Sequence, residues 1–142
     1  MTEHRTTSEA ETVAVARSFA RDLRPGDWVG LIGPLGAGKS VFARAVGHAL
    51  GVRETMPSPT YTLMNVLSGD IPLYHIDLYR MSSADELDFA GIEPYFQSSG
   101  VCLVEWADQI RSRWPMRGWI VAIEIAGASV RRITIATTAE HR

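Results

Sequence analysis

The chain has 142 residues, 46% of them hydrophobic, and its 14 basic and 16 acidic side chains give a formal net charge of −2. This length suits one domain with a hydrophobic core, and the balanced charge excludes recruitment of nucleic acid by a strong overall positive field. The single cysteine, Cys102, cannot form an internal disulfide. The chain has no apolar run of membrane-spanning length, and its polar start lacks a signal segment. We therefore expect a cytoplasmic protein that binds neither DNA nor a membrane.

The first predicted elements are a helix, a strand and a second helix. Residues 8–11, Ser-Glu-Ala-Glu, form a capping box, and apolar residues at helical spacing follow until Pro25 stops the helix. Residues 28–32 have the apolar composition of a buried strand. Residues 41–50 then predict a helix that ends at Gly51.

Between this strand and the second helix lies the most informative segment of the chain. Residues 33–40, Gly-Pro-Leu-Gly-Ala-Gly-Lys-Ser, match the phosphate-binding pattern G-x-x-x-x-G-K-[ST] at every fixed position. The glycines allow backbone N–H groups to face an anion, and the N-terminus of the following helix faces the same anion. The predicted nucleotide-binding residues are Gly33, Gly36, Ala37, Gly38, Lys39 and Ser40.

Two side chains of this segment have predicted roles of their own. Lys39, the only lysine of the chain, would contact the β- and γ-phosphates of a nucleotide, and the Ser40 hydroxyl would bind Mg²⁺. A strand before the motif and a helix after it are the context that a nucleotide site requires. We therefore interpret the segment as a P-loop rather than as an accidental glycine-rich turn.

The remainder of the chain predicts a mixed sheet. Further strands are predicted at residues 61–67, 73–79, 101–106, 119–125 and 132–136. A short Ser-Gly-Asp turn joins the first two of these in an antiparallel hairpin, and a short helix is expected at residues 83–89. We expect one α/β domain over residues 1–142, of the P-loop NTPase type, with a mixed β-sheet flanked by helices and flexible termini at residues 1–7 and about 138–142.

Two acidic residues are candidates to complete the site. Glu105 ends the most apolar strand, and ligands of open α/β sheets gather at the carboxyl ends of the strands, so Glu105 is the best candidate to hold Mg²⁺ or its water. A solvent-facing glutamate is the alternative. Asp77 shares a strand face with His75, and it either orients a water or metal ligand or is a structural acid. We interpret His75 as a sheet residue rather than as a general base.

Two further residues leave their roles open. Thr60 follows two prolines at a point where other P-loop proteins have a switch loop, although the sequence alone favours a hydroxyl at the start of a strand. Trp106, next to Glu105, could line the nucleotide site, face a partner or pack in the core, and no pattern decides between these.

The motif predicts nucleotide binding but leaves several functions open. The chain has neither the Asn-Lys-x-Asp segment of GTPases nor the Leu-Ser-Gly-Gly signature of ABC ATPases. Our hypothesis is an ATPase whose small site is slow until a partner completes it. The alternatives are a kinase for a small metabolite and a non-hydrolysing module whose docking surface is set by bound nucleotide.

Several segments together resemble the TsaE family (also called YjeE), the bacterial ATPases of tRNA threonylcarbamoyladenosine biosynthesis. They are residues 33–40, the Ser-Pro-Thr-Tyr-Thr-Leu of residues 58–63, the His-Ile-Asp-Leu-Tyr-Arg of residues 75–80, Glu86-Leu87 with Gly91-Ile92, and Val104-Glu105-Trp106. The resemblance extends from residue 8 to about residue 132. It implies a compact P-loop domain that binds ATP and Mg²⁺ and hydrolyses ATP slowly by itself.

The resemblance also implies partners. Family members work with the TsaB and TsaD proteins, which attach the threonylcarbamoyl group to the adenosine beside the anticodon of ANN-decoding tRNAs. The ATP cycle supports repeated turnover of that assembly and is not the transfer chemistry itself. The tRNA would therefore be reached indirectly, through the complex.

Site residues follow from the same resemblance. Lys39 would contact the phosphates, and Ser40 and Glu105 would serve Mg²⁺. Asp77 and Trp106 would be needed for activity.

Three more positions of the chain match functional positions of the family. Thr60 would lie in a switch-like loop, Thr12 matches a position near the nucleotide base, and Arg132 matches a late arginine that contacts the nucleotide. The chain departs from the family at Pro34, where an aspartate is frequent, and at Ser40, where threonine is frequent. Ser40 keeps the hydroxyl oxygen that a metal needs.

Overall fold

A mixed sheet of seven strands organises the computed structural model, which describes residues 1–54, 56 and 63–141. The strands are β1 (Thr2–Thr6), β2 (Trp28–Ile32), β3 (Met64–Leu67), β4 (Leu73–Asp77), β5 (Val101–Glu105), β6 (Trp119–Ile125) and β7 (Arg131–Thr137). Their order across the sheet is β1-β7-β6-β2-β5-β4-β3. The predicted α/β class with a mixed sheet is confirmed.

The centre of the sheet is parallel and both edges are antiparallel. Strands β6, β2, β5 and β4 are parallel neighbours, whereas β3 pairs antiparallel with β4 at one edge, as predicted for the hairpin. At the other edge β7 is antiparallel to both β6 and β1. The parallel strands bring their carboxyl ends to the same edge of the sheet, which is where open α/β sheets bind ligands.

Helices follow several of the strands along the chain, and the last short helix comes after β7. They are α1 (Glu9–Ala20), α2 (Lys39–Ala49), α3 (Leu87–Ala90) and α4 (Thr138–His141), with 3-10 turns at Ala84–Glu86, Glu93–Tyr95 and Ala107–Arg113. The predicted cap of α1 is present, because Ser8 Oγ accepts a hydrogen bond from the Glu11 amide at 3.1 Å. The Glu11 carboxylate accepts in turn from the amide and hydroxyl of Thr7, which fixes the entry into the helix.

The sheet separates two apolar clusters. Helices α1 and α2 pack on one face, where Leu31 and Leu103 are fully buried. The other face is covered by the 3-10 turns and α3, over Trp28 and Val104. Because side chains alternate along a strand, Glu105 follows Leu103 onto the face of α2. This alternation brings the acid that ends β5 to the same side of the sheet as the start of α2.

The ends of the chain differ from the expectation of flexible termini. Residues Thr2–Thr6 form β1, with Thr2 opposite Ile135 of β7, and the Met1 ammonium pairs with Glu140 at 2.9 Å. An open sheet edge can be paired by backbone groups whatever the side chains, so a polar segment without a hydrophobic pattern still forms a strand there. Within the described part of the chain, no helix is long and apolar enough to cross a membrane.

Candidate functional site

The loop of residues 33–40 connects the end of β2 to the start of α2, and its glycines are needed for two different reasons. Gly36 and Gly38 have φ values of +80° and +108°, and a Cβ on either would meet nothing within 4 Å. They are required by the backbone conformation, which turns the loop around open space. Gly33 also has a positive φ (+151°), but a Cβ on it would in addition lie 2.4 Å from the carbonyl oxygen of Ile123, so contact with β6 requires a glycine there as well.

Lys39 is buried at the first position of α2. Its Nζ donates hydrogen bonds to the carbonyl oxygens of Gly33 and Pro34, the second at 2.9 Å. Burial lowers the pKa of Lys39, and the negative charges of Glu105, Asp108 and Asp77 act against this shift. The only ammonium side chain of the sequence is thus fixed against the backbone of the loop that precedes it.

An aromatic pair borders Lys39. The Lys39 Nζ lies 3.8 Å from the ring centroid of Trp106, and the Trp106 and Tyr79 ring centroids are 5.1 Å apart. Trp106 has left-handed backbone angles (φ 60°, ψ 40°), a conformation that costs a residue of this type about 1–3 kcal/mol. The turn places the indole beside the loop, and Trp106 also packs, partly buried, against the apolar cluster that contains Trp28 and Val104.

Strands β4 and β5 supply the acidic side of the site. Asp77 lies directly opposite Glu105 in the parallel register, so both side chains leave the same face of the sheet. Glu105 is 2% exposed, which excludes the solvent-facing alternative. Its Oε1 accepts a hydrogen bond from Ser40 Oγ at 3.3 Å, and its Oε2 lies 2.6 Å from His75 Nε2. The hydroxyl of α2 and the acid of β5 are therefore in contact.

Asp77 is more open than Glu105. Its Oδ1 accepts a hydrogen bond from the backbone amide of Tyr79 at 2.8 Å. Partial burial raises the pKa of Asp77, and the charge of Glu105 raises it further, while the Tyr79 amide acts in the opposite direction. Asp77 thus has one oxygen held by the backbone and stands beside a second, fully buried acid.

A cleft of about 410 Å³ lies between the loop, the start of α1 and the turn that joins β6 to β7. It is lined by Thr7, Ser8, Glu9, Thr12, Gly36, Ala37, Gly38, Val41, Ala128, Ser129 and Arg131. Thr12 is buried in α1, and its hydroxyl is 2.9 Å from that of Thr6 in β1. The cleft therefore joins the predicted phosphate-binding loop to the residue that was expected near the base.

The two adjacent arginines of β7 have different surroundings. Arg131 donates to the carbonyl oxygens of Ala37 at 3.0 Å and Gly36 at 3.3 Å. Arg132, the predicted nucleotide contact, instead pairs with Glu124 at 3.0 Å and also lies 3.4 Å from a carboxylate oxygen of Glu3. Alternation along the strand sends the two side chains to opposite faces. Arg131 is thus the arginine at the loop, and sequence analysis missed it because an Arg-Arg pair does not reveal which residue faces the site.

The structure assembles most of the predicted site at one edge of the sheet. Lys39, Ser40, Asp77, Glu105 and Trp106 lie together at the carboxyl ends of β2, β4 and β5, whereas Thr60 lies outside the described residues. The loop with its open glycines and ammonium suits a phosphate group, and the oxygen ligands Ser40 Oγ and Glu105 Oε1 suit Mg²⁺. The residues present therefore fit a metal-bound nucleotide.

The comparisons with known proteins agree with one another. A model of the family described as Threonylcarbamoyl adenosine biosynthesis protein TsaE matches residues 6–133. The chain is 41% identical over 131 residues to tRNA threonylcarbamoyladenosine biosynthesis protein TsaE of Bacillus subtilis, a match that covers 92% of this chain and 82% of the relative. It is 33% identical over 129 residues to the protein of that name from Treponema pallidum, with 91% and 96% covered.

A solved structure has a similar fold. The crystal structure of Bacillus subtilis YdiB superposes on the chain with a TM-score of 0.80 and 35% sequence identity. The superposition covers 99% of this chain and 87% of YdiB.

Proposed function

The chain belongs to the TsaE family, and from this premise and the geometry of the site we propose that it is a P-loop ATPase that requires Mg²⁺. Its ATP cycle would support threonylcarbamoylation of the adenosine beside the anticodon of ANN-decoding tRNAs. The observation that carries this proposal is the cluster of Lys39, Ser40 and Glu105 at the carboxyl ends of parallel strands.

The 33–40 loop would hold the phosphates of ATP. The positive φ angles of its glycines allow backbone N–H groups to turn towards an anion, and the N-terminus of α2 adds its dipole. Lys39 would exchange the carbonyl oxygens of Gly33 and Pro34 for phosphate oxygens, which are stronger acceptors because they are charged. The cleft beside Thr12 and Arg131 is continuous with the loop and would take the nucleoside.

Ser40 and Glu105 would hold the metal. They already share a hydrogen bond, so both oxygens are close enough together to serve one cation, and oxygen ligands are those that Mg²⁺ prefers. When bound, Mg²⁺ offsets the negative charge of the β- and γ-phosphates. Because Glu105 is buried, its charge is little screened by water and acts strongly on its neighbours.

Asp77 is the better candidate to orient the attacking water. Both oxygens of Glu105 are engaged, by Ser40 and by His75, whereas Asp77 is held through one oxygen by the Tyr79 amide. Its position opposite Glu105 places it at the same edge of the sheet. A carboxylate that is fixed but only half-buried can accept a hydrogen bond from a water molecule and so orient it.

Partners would complete the activity. Lys39 and Arg131, two cations at the loop, are both bound to its carbonyl oxygens. A site of this kind is expected to hydrolyse ATP slowly until another protein reshapes it. We propose the TsaD and TsaB proteins as those partners, with tRNA reached through the complex and with the cytoplasm as the place of action.

The proposal is tested by an ATPase assay with and without TsaD and TsaB, followed by a tRNA-modification assay. We expect slow release of inorganic phosphate from the chain alone, stimulation by the partners, and repeated modification of tRNA only when ATP and Mg²⁺ are present. Transfer of the γ-phosphate to an organic acceptor would instead identify a kinase for a small metabolite. Nucleotide binding without turnover in the full assembly would identify a nucleotide-gated binding module.

A further inference from the structure

His75 and Glu105 form a buried pair behind the candidate metal site. The two side chains are 4% and 3% exposed, and His75 Nε2 lies 2.6 Å from Glu105 Oε2. His75 is in β4, two residues before Asp77, which is the residue opposite Glu105 in the register. The imidazole therefore reaches Glu105 diagonally across two parallel strands that share this face.

The contact with His75 leaves the second oxygen of Glu105 directed at Ser40. While Oε2 is taken by His75, Oε1 is directed at Ser40 Oγ at 3.3 Å. A buried carboxylate without hydrogen-bond partners would be costly and free to rotate about its terminal torsion. With one oxygen fixed, the other is left facing the start of α2.

The other nitrogen of His75 identifies the donor. Nδ1 is buried and has no hydrogen-bond partner among the described residues. If Nδ1 carried the hydrogen, that N–H would be unpaired, and two acceptors, Nε2 and Oε2, would face each other at 2.6 Å. The Nε2–H tautomer avoids both costs, so His75 donates to Glu105.

We propose that His75 is a positioning residue that orients the Glu105 carboxylate so that Oε1 is presented to a divalent cation beside Ser40. This inference rests on the proposed function, because it concerns the acid that the proposed Mg²⁺ would meet. Residues that hydrogen-bond to metal ligands tune metal affinity, and removing one typically weakens it by about 10–100-fold. His75 would therefore act on the metal and not on the nucleotide phosphates.

The test compares His75→Leu with His75→Gln. Leucine keeps an apolar side chain in the sheet but cannot donate, whereas the glutamine amide can place an N–H near the position of Nε2. Binding of Mn²⁺ is measured by electron paramagnetic resonance on the full chain loaded with ADP. Binding of ADP in EDTA is measured first, to establish that each variant has a folded 33–40 loop.

The expected result is a loss of Mn²⁺ affinity of about tenfold or more in His75→Leu and recovery to within about threefold of wild type in His75→Gln. Equal Mn²⁺ affinity in wild type and His75→Leu would overturn the role of His75 while leaving the proposed function intact. A wild-type chain that binds neither ADP nor Mn²⁺ would overturn the proposed function and this inference with it.

A spectroscopic measurement shows directly which nitrogen of His75 carries the hydrogen, and it can be made on the wild-type chain even where a variant fails to fold. Long-range ¹H–¹⁵N correlation spectra of the wild-type chain distinguish the two neutral tautomers of histidine. We expect Nε2 of His75 to carry the hydrogen and its resonance to shift in Glu105→Gln. An Nδ1–H signal for His75 would contradict the proposal.

Discussion

The 33–40 loop and the acidic strand ends meet at one site, but they are held in place differently. The loop is a run of consecutive residues, in which Lys39 binds carbonyl oxygens of Gly33 and Pro34 from its own segment. The acidic side comes from β4 and β5, and depends on the register that places Asp77 opposite Glu105. The contacts of Lys39 are therefore local, with added support for the loop from Ile123 and Arg131, whereas the acidic side exists only once the sheet has formed. We expect changes to the loop to affect nucleotide binding and changes to the acids to affect metal and turnover.

The largest effect is expected from Lys39→Ala. Loss of the charged donor to two phosphates should weaken ATP binding by about a hundredfold or more, or about 2.7 kcal/mol, because hydrogen bonds to charged groups contribute about 1.5–3 kcal/mol each. Isothermal titration calorimetry measures the affinity. Arg44→Ala, at an exposed position of the same helix, is the matched control and should bind as wild type. Wild-type affinity for ATP in Lys39→Ala would contradict the assignment of the 33–40 loop to the nucleotide site.

Glu105→Gln should separate the two sides of the site. We expect ADP binding in EDTA to be retained, because the loop is unchanged, while hydrolysis supported by Mg²⁺ falls by about a hundredfold, the effect typical of losing one electrostatic group from a preorganised site. Steady-state phosphate release at several Mg²⁺ concentrations measures this. The amide keeps the shape of the side chain but not its charge.

Asp77→Asn sharpens the same distinction between metal binding and water orientation. If Asp77 orients water, its variant should lose turnover while its dependence on Mg²⁺ concentration stays as in wild type. A turnover defect in Asp77→Asn that is rescued by more Mg²⁺ would assign Asp77 to the metal instead. The two acids are thus told apart by the same phosphate-release assay.

Gly33→Ala tests the packing of the loop against the sheet. The new methyl group would collide with the Ile123 carbonyl oxygen, so we expect destabilisation of about 2–3 kcal/mol. Gly36→Ala meets open space and carries only the cost of its backbone angle, about 1 kcal/mol. Chemical denaturation measures both free energies of unfolding. Equal losses in the two variants would contradict the distinction drawn between these glycines.

The smallest of these effects is expected from the β7 arginines. Arg131→Ala removes two hydrogen bonds to loop carbonyl oxygens and should weaken nucleotide binding by about three- to tenfold, because Arg131 supports the loop and would act on the nucleotide only through it. Arg132→Ala removes exposed ion pairs with Glu124 and Glu3, which contribute little, and should bind nucleotide as wild type. Fluorescent-nucleotide titration compares the two. A larger loss in Arg132→Ala would restore the original prediction for that residue.

The sequence predicted what depends on short stretches of chain. The bounds of β2, the presence of a helix after the 33–40 loop and the cap at Ser8 follow from local composition and were found as expected. The acid at the end of β5 was identifiable because a continuous apolar run that ends in glutamate is a local pattern as well.

What could not be predicted depends on contacts between distant segments. Whether Arg131 or Arg132 faces the loop is decided by the register of β7, and β1 forms only because β7 offers it an open edge. The contact of His75 with Glu105 likewise requires β4 and β5 to be neighbours. No periodicity in any one of these segments contains that information.

The central claim is that the loop and the buried acid bind one metal–nucleotide between them. A crystal of the chain grown with Mn²⁺ and a non-hydrolysable ATP analogue, with anomalous data collected at the manganese edge, tests it most directly. We predict one anomalous peak between Ser40 Oγ and Glu105, with the triphosphate surrounded by residues 33–40. A nucleotide bound away from this loop, or a manganese ion remote from both side chains, would contradict the claim.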